Sequence, residues 1–451
     1  MELSENRRFF RELMAIVLPI AMQSLLSSLV SASDALMLGF LDQSSLSAIS
    51  LATQIQFVLS LFQAAFMIGA SVLAAQYWGL RDRDTVEQVL GLSLRISVPV
   101  SALFFAAALF APGALMRIFT PDPELVSRGI PYLRIVSASY LLTGVSQMYL
   151  NIMKNSGRVA RSSAYASAAV VLNIILNLLL IFGFLGLPAL GIRGAALATV
   201  IARAVELALC LIENRKPDVV KLRLRCCLHA DAELRGRFYH YMAPVLANEI
   251  AWGGGVTMFS VIMGHLGSDA VAANSITNIL KNILTCFCTG LGAGSSIMLG
   301  NLMGAGELDK AKTCSRKLIR ASLLLGVCAG VVLLAVLPLA LRFSGSLTDT
   351  ARTYVKYMSF ISAYYVIGRS LNGVLIEGTF CAGGDTRFGF LCDLINMWCF
   401  IIPLASLAAF VLKWPVMAVY FILNLDEICK IPFEIRHYRK YKWLKNLTAH
   451  N

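Results

Sequence analysis

The sequence contains little charge for its length. Asp, Glu, Lys and Arg together make up only 14% of its 451 residues, whereas the hydrophobic class makes up 57%. A soluble domain carries about 25% charged residues, because charge keeps its surface hydrated. The deficit therefore excludes an ordinary soluble enzyme, a disordered chain, a coiled coil and a secreted disulfide scaffold. A polytopic membrane protein remains, since each spanning helix needs ~20 apolar residues.

Several chemical motifs are absent from the sequence. It has no C-x-x-C pair among its 11 cysteines, no H-E-x-x-H pattern, no P-loop and no Ser-His-Asp or paired-carboxylate pattern. We therefore expect no enzymatic activity, no cofactor, no structural metal and no energy from ATP hydrolysis. The net charge of +13 lies in short runs between apolar segments, so no nucleic-acid partner is expected.

Apolar segments long enough to cross a membrane follow one another along the chain. Their lengths predict twelve transmembrane helices in two six-helix lobes, within an all-α fold built from parallel repeats. We predict an N-lobe at 1–212, a cytoplasmic linker at 213–237 and a C-lobe at 238–451. The predicted spans are 12–40, 46–78, 88–116, 125–154, 161–186, 190–212, 238–266, 270–302, 318–342, 350–381, 387–411 and 415–433.

The distribution of Lys and Arg predicts the orientation in the membrane. With both termini on the cytoplasmic side, and with residues near the ends of spans counted in the adjoining loop, 28 of these residues fall in cytoplasmic loops and tails, 8 in outer loops and three deep within spans. Cytoplasmic loops of membrane proteins are enriched in Lys and Arg, so we expect both termini in the cytoplasm. The three cations within spans are Arg203, Lys281 and Arg369.

The two halves of the chain repeat. One ungapped shift of 225 residues aligns glycines, prolines and arginines, which have backbone or topological roles. In membrane proteins with such parallel repeats, the substrate site lies between the halves near the midplane. The aligned pairs include Pro19 and Pro244, Gly39 and Gly264, Gly69 and Gly294, Gly79 and Gly304, and Arg95 and Arg320.

Asp34 is the main candidate in the N-lobe. It follows Pro19 in the first span, and that proline allows the helix to bend as a hinge. A carboxylate at membrane depth is costly and therefore indicates function, although neighbours on the helix could also satisfy it structurally. Four polar residues could hydrogen-bond Asp34 or bind a desolvated cation, or else hold helices together: Asn151, Asn173, Asn177 and Thr199.

Glu249 is the main candidate in the C-lobe. It follows Pro244 and precedes Gly253, Gly254 and Gly255, so we predict a hinge at these positions. Trp252 adds an aromatic face beside the carboxylate, which suits an organic cation. The alternative is an internal salt bridge of Glu249.

Five further acids lie in or near the later spans. Asp393 and Glu377 are additional candidates for the C-lobe cavity or for coupling, and Arg369 is the candidate partner of Glu249 in a salt bridge. Glu206 follows Arg203 by three residues, which predicts a local ion pair. The remaining two, Asp426 and Glu427, are expected to be hydrated near the cytoplasmic end.

The acids do not follow the repeat. Under the shift of 225 residues Asp34 falls on Phe259, and Glu249 falls on Ser24. Residues needed only to build a lobe should tend to repeat, so we expect a different polar site in each lobe. A channel would repeat its filter residues, and an intramembrane enzyme would need a catalytic pair that the sequence does not show.

Six short motifs occur in a fixed order along nearly the whole chain. They are Pro19…Asp34-Ala-Leu-Met-Leu-Gly39, Gly69-Ala-Ser-Val-Leu-Ala-Ala-Gln76-Tyr-Trp-Gly79, Gly191-Ile-Arg-Gly194-Ala-Ala-Leu-Ala-Thr199, Asn248-Glu249…Trp252, Ala382-Gly-Gly-Asp-Thr386 and Lys442-Trp-Leu-Lys-Asn-Leu-Thr448. Their order and spacing resemble the multidrug and toxic compound extrusion (MATE) transporters, and the last motif resembles a bacterial subgroup.

The resemblance implies export coupled to H⁺ or Na⁺ through a cavity between two lobes. Asp34 matches the first-span acid of the family, and Asn173 and Thr199 match polar residues around it. Asn177 departs from the DinF-like branch, which carries an Asp there. The NorM-like branch has its seventh-span acid where this chain has Trp252, so Glu249 has no equivalent in that branch.

We therefore expect a multi-pass antiporter of the bacterial cytoplasmic membrane, acting as a monomer among membrane lipids. It would export amphipathic, cationic drugs or toxic compounds by alternating access, with H⁺ preferred as coupling ion and Na⁺ near Asp34 as the alternative. A lipid-linked saccharide flippase of the same fold superfamily is the second hypothesis. That hypothesis would require cationic residues in the cavity for a pyrophosphate, and the spans contain few.

Overall fold

The computed structural model describes residues 2–39, 43–186, 188–223, 231–343 and 347–449. Apart from turns and short connections these residues are helical, and the described part of the chain contains no β-strand. The predicted all-α fold is therefore confirmed. The side chain of Asp34, in the first helix, lies outside the described residues.

The first half forms seven α-helices whose ends follow from local sequence. Asp82 caps one helix by accepting a hydrogen bond from the N–H of Thr85 at 3.1 Å, and Gly183 ends another in the left-handed conformation at φ 76°. The helices are α1 (Glu2–Gly39), α2 (Gln43–Gly79), α3 (Arg83–Phe110), α4 (Pro112–Phe119), α5 (Pro123–Asn155), α6 (Val159–Phe182) and α7 (Ile192–Asn214).

The second half begins with three long helices and ends in shorter ones. A π-helical segment, Gly373–Phe380, follows the helix that ends at Asn372, and two more, Ile395–Ile401 and Leu407–Val411, flank the short α-helix Ile402–Ser406. Such segments appear mostly as local bulges inside α-helices and are frequent at functional sites. The helices are α8 (Ala232–His265), α9 (Ser268–Gly304), α10 (Leu308–Phe343), α11 (Asp349–Asn372), α12 (Thr386–Leu394), α13 (Val416–Asn424), α14 (Asp426–Cys429) and α15 (Ile431–Tyr438).

Every predicted span coincides with helical structure. Among the described residues, nine helices are long and apolar enough to cross a membrane. Large apolar side chains remain exposed on them, as on α10, where Leu324 is 65% and Val331 61% exposed. Such faces are expected where lipid replaces water as the solvent. The other predicted spans, 125–154, 350–381 and 415–433, lie in more polar or interrupted helices.

The chain divides into two compact units that are each discontinuous in sequence. One unit comprises Met1–Ser24, Ala75–Arg81 and Ala243–Asn451, and the other comprises Leu25–Ala74 and Asp82–Met242. The first part of α1, up to Ser24, and the end of α2 thus belong to the same unit as the second half of the chain. The functional lobes at 1–212 and 238–451 stay a prediction, because packing alone does not define the bodies that move.

Each unit contains its own apolar core. In the unit that holds the second half, Leu299, Phe380 and Trp443 belong to one buried cluster. In the other unit, Met116 and Leu133 belong to a separate cluster. Fully burying an apolar side chain of this size contributes roughly 1.5–3 kcal/mol, so these clusters fix the helices that carry the polar residues.

The C-terminal tail after α15 is fixed by one side chain of α2. Gln76 is fully buried, and its amide donates to the carbonyls of Ala382 at 2.7 Å and Lys445 at 3.2 Å. Its side-chain oxygen accepts from the N–H of Leu447 at 2.7 Å. Trp443 is also fully buried and stacks on Tyr438 with ring centroids 5.6 Å apart. The end of α2 and the tail therefore form one packed element.

The beginning of the predicted linker is anchored by a buried acid. The carboxylate of Glu213 accepts hydrogen bonds from Arg158 at 2.7 Å, Arg161 at 3.1 Å and the Tyr165 hydroxyl at 2.7 Å. It also pairs with Lys216. Because charged hydrogen bonds are stronger than neutral ones, this junction holds the start of the linker on α6.

Candidate functional site

Three of the predicted N-lobe residues lie together. The Asn173 amide donates to the Thr199 hydroxyl at 3.4 Å, and the Asn177 amide donates to the Asn173 oxygen at 3.4 Å. The Thr199 hydroxyl in turn donates to the carbonyl of Ala195 at 3.1 Å. Asn173 and Asn177 are both buried. These contacts form a polar cluster between α6 and α7, and its role in cation binding stays a prediction.

Asn151 has different neighbours. Its amide donates to the carbonyl of Met67 at 2.8 Å and to the Ser71 hydroxyl at 3.1 Å. Asn155 reaches the same hydroxyl at 2.9 Å. These bonds tie α5 to α2, which is the interhelical role that polar residues often have in membranes. A place for Asn151 in the cation site stays a prediction.

Glu206 forms the local ion pair that its spacing predicted. The carboxylate lies 2.7 Å from Arg203 and also accepts from the Ser146 hydroxyl at 2.5 Å and the Gln147 amide at 3.1 Å. Glu206 is fully buried. The interaction is confirmed, and its partners on α5 show that it also holds α5 against α7.

Glu377 lies in the π-helical segment after α11 and pairs with Arg369. Their charged groups are 2.9 Å apart, and another guanidinium nitrogen of Arg369 lies 3.9 Å from Glu427. Glu249 interacts electrostatically with Glu377, Arg369 and Asp393. Among the described residues, however, Glu249 has no hydrogen bond or ion pair of its own. The alternative salt bridge between Glu249 and Arg369 is therefore not formed in this structure.

Asp393 lies in α12 and pairs with Lys430. The ammonium group is 2.8 Å from one oxygen of Asp393, and the Asn248 amide donates to the other oxygen at 3.2 Å. Lys430 also lies 3.3 Å from Glu427. The Asn372 amide donates to Glu427 at 2.6 Å, so this carboxylate bridges Lys430 and α11.

The expectation that Asp426 and Glu427 are hydrated was wrong. They are only 6% and 3% exposed. Asn396 donates to Asp426 at 2.8 Å, and α11 and the π-helical segment Ile395–Ile401 cover the short helix α14 that carries both acids. Lys430, which the orientation count placed on the cytoplasmic side, is only 5% exposed. The sequence contains a signal that could have indicated this cluster. Glu427, Lys430 and Glu434 are spaced three and four residues apart, which is the spacing of neighbours on one helix face.

Trp252 is near Glu249 on α8 and its side chain is 40% exposed. Gly254 and Gly255 lie where an added β-carbon would contact Trp398 and Met397, so they permit close packing of α8 on the π-helical segment after α12. The indole of Trp398 donates to the carbonyl of Ala251 at 3.0 Å. Gly254 and Gly255 therefore have a packing role in this structure.

The predicted hinges lie inside continuous helices. Pro19 lies within α1, and Pro244 and Gly253–Gly255 lie within α8. A proline has no N–H to donate, so one backbone hydrogen bond is already missing near Pro19 and near Pro244. A bend at these prolines therefore breaks few further hydrogen bonds. Their function as hinges stays a prediction. Among the described residues no group of His, Cys, Asp or Glu is arranged to hold a metal ion.

The long apolar helices among the described residues define the class as a polytopic helical membrane protein. A mutant of the Vibrio cholerae MATE transporter VcmN superimposes with a TM-score of 0.87 at 17% identity, covering 98% of this chain and 99% of that one. A MOP superfamily transporter from Pyrococcus furiosus superimposes with a TM-score of 0.86 at 15% identity, covering 96% and 95%. At these identities the likeness shows the fold.

The chain belongs to the MatE family. The family model matches residues 19–179 and 245–407, so it recognises both halves of the repeat. The chain is 22% identical over 440 residues to the "Uncharacterized transporter YisQ" of Bacillus subtilis, covering 97% of this chain and 96% of the relative. It is 22% identical to the "Probable multidrug resistance protein NorM" of Thermotoga maritima, covering 96% and 93%.

Proposed function

We propose that this chain exports amphipathic, cationic compounds by ion-coupled antiport across the bacterial cytoplasmic membrane. The observation that carries the proposal is Glu249, a partly buried carboxylate with no ion-pair partner among the described residues. Beside it on α8 lies the exposed ring of Trp252. A negative charge next to an aromatic face binds an organic cation. The relatives named as multidrug resistance proteins support the same substrate class.

Coupling is proposed for the N-lobe. Asp34 would take up H⁺, with Na⁺ as the alternative, and Asn173, Asn177 and Thr199 would contribute polar groups to the same function. Protonation changes the charge of the site, and a ligand shifts a conformational equilibrium only through different affinities for the two states. The lobes at 1–212 and 238–451 would then alternate, with the linker at 213–237 between them and both termini in the cytoplasm.

The lipid-linked saccharide flippase has weaker support. A pyrophosphate requires cationic side chains that are available to it. Arg369 is paired with Glu377, and Lys430 is paired with Asp393 and Glu427. The structure therefore shows these two cations already neutralised by acids of the protein.

The proposal is tested with purified protein in lipid vesicles. H⁺ and Na⁺ gradients are imposed separately, and uptake is measured with a panel of fluorescent organic cations. We expect H⁺-driven transport that Asp34→Asn abolishes while the protein remains folded and monomeric in gel filtration. Full transport by Asp34→Asn would refute the coupling role, and transport driven only by Na⁺ would refute the preference for H⁺.

A further inference from the structure

Lys430 lies at the centre of a buried group of acids. Its ammonium group is 2.8 Å from Asp393 and 3.3 Å from Glu427, and it also interacts electrostatically with Asp426 and Glu434. Two carboxylates, from α12 and α14, thus contact one ammonium group, and two further acids lie in the same charged surroundings. A buried charge is stable only when it is paired, so the position of Lys430 is set by these acids.

The surrounding cations do not balance the acids. Arg369 compensates Glu377 and reaches Glu427 at 3.9 Å. Lys281 also interacts with Glu427, and its ammonium group lies 4.2 Å from the centre of the Tyr365 ring. Arg369 and Lys281 therefore interact with Glu377 or Glu427 and not with Asp393. Among the described residues, Lys430 is the one cationic side chain that forms an ion pair with Asp393.

Glu434 shows how the excess acid is accommodated. The residue is fully buried, and neither carboxyl oxygen has a hydrogen-bond partner among the described residues. An unpaired carboxylate in such a place would cost several kcal/mol, so the neutral, protonated carboxyl is favoured. The buried acids around Lys430 are thus arranged to hold protons in addition to one fixed ammonium ion.

We propose that Lys430 is a tethered cation in the second half of the chain (the C-half), so that the buried group of acids around it exchanges protons and excludes Na⁺. The ammonium nitrogen takes the place between Asp393 and Glu427 where a free cation would otherwise bind. Carboxylate oxygens are the ligands that hard cations prefer. This inference extends the proposed ion coupling, and its role in transport rests on that proposal. Binding of a cation between Asp393 and Glu427 can be tested without it.

The test is equilibrium binding of radioactive Na⁺ to the purified full-length protein. Lys430→Ala removes the ammonium group and leaves space between the acids. We expect this variant to gain one saturable Na⁺ site, with affinity at least about tenfold above that of the wild-type C-half. The site should disappear in the double variant Lys430→Ala/Asp393→Asn. Lys430→Arg keeps the charge and should gain no site.

Lys310 provides the matched control. It pairs with Glu307 at 2.8 Å, but its side chain is 70% exposed, so Lys310→Ala should leave Na⁺ binding unchanged. A folded Lys430→Ala protein that binds Na⁺ no better than the wild type would overturn the inference.

A second measurement decides the matter if Lys430→Ala does not fold. The wild type and Asp393→Asn are compared, and we expect equal Na⁺ binding because Lys430 already holds the position. Lower binding in Asp393→Asn would show Na⁺ in the native C-half and would contradict the inference. Neither experiment measures transport, so failure of the export proposal would leave both results interpretable.

Discussion

Gly79 in α2 lies directly against the backbone of Asn301 in α9, where an added β-carbon would contact the Asn301 carbonyl. Gly304 in α9 lies in the same way against the backbone of Gln76 in α2. The two contacts are related by the shift of 225 residues that aligns the halves of the sequence. The ends of α2 and α9 therefore make a reciprocal contact, as across a two-fold axis.

This contact predicts that Gly79→Ala and Gly304→Ala each destabilise the protein. The added methyl groups would force two backbones apart, which costs about 1–3 kcal/mol when a packed site cannot relax. Thermal unfolding of the purified protein would measure the loss. Gly264 is the matched control, because it also lies in a helix but an added β-carbon would meet nothing within 4 Å. Equal stability of all three variants would contradict the prediction.

Gln76→Ala should loosen the C-terminal tail. The substitution leaves the carbonyls of Ala382 and Lys445 and the N–H of Leu447 without their side-chain partner. A buried polar group left unsatisfied costs about 1–3 kcal/mol. We expect a lower unfolding temperature and faster proteolysis of the tail. Gln54→Ala, at an exposed position of the same helix, should change neither.

Glu213→Ala should release the start of the linker. Arg158, Arg161 and Lys216 would lose the carboxylate that they share, and like charges would then repel one another. These cations are partly exposed, so solvent screening reduces the loss of stability to about 1 kcal/mol. We expect trypsin to cleave the chain faster between residues 215 and 223. Glu233→Ala, which removes a 65% exposed acid, should not alter the cleavage rate.

Trp252→Ala should weaken binding of cationic substrates more than binding of neutral ones. A cation over an aromatic ring gains about 0.5–2 kcal/mol, so we expect a loss of about twofold to thirtyfold in affinity. Fluorescence titration of purified protein with matched cationic and neutral dyes would measure it. Trp414 is 46% exposed and lies in a connection, so Trp414→Ala should leave both affinities unchanged. An equal loss for both dyes would point to packing instead of charge.

Local spacing predicted those interactions that one helix contains. Glu206 and Arg203 are three residues apart on α7, and their ion pair was predictable for that reason. Asn173 and Asn177 are four residues apart on α6 and share a face, so their contact followed equally from the sequence. The contact between Asn151 and Met67 could not be predicted in this way, because Met67 lies 84 residues away and only the packing of α5 on α2 brings the two residues together.

The sequence by itself determined the class of this protein. Scarce charge, long apolar segments and the repeat require a helical membrane fold, since apolar length and backbone hydrogen bonding leave few alternatives in a bilayer. Tertiary structure alone decided which intramembrane charges meet. Lys430 and Asp393 are 37 residues apart, and the burial of Asp426 and Glu427 depends on how α11 and the π-helical segment Ile395–Ile401 pack around α14. Pairing between helices is set by their relative positions in space, which spacing along one chain does not encode.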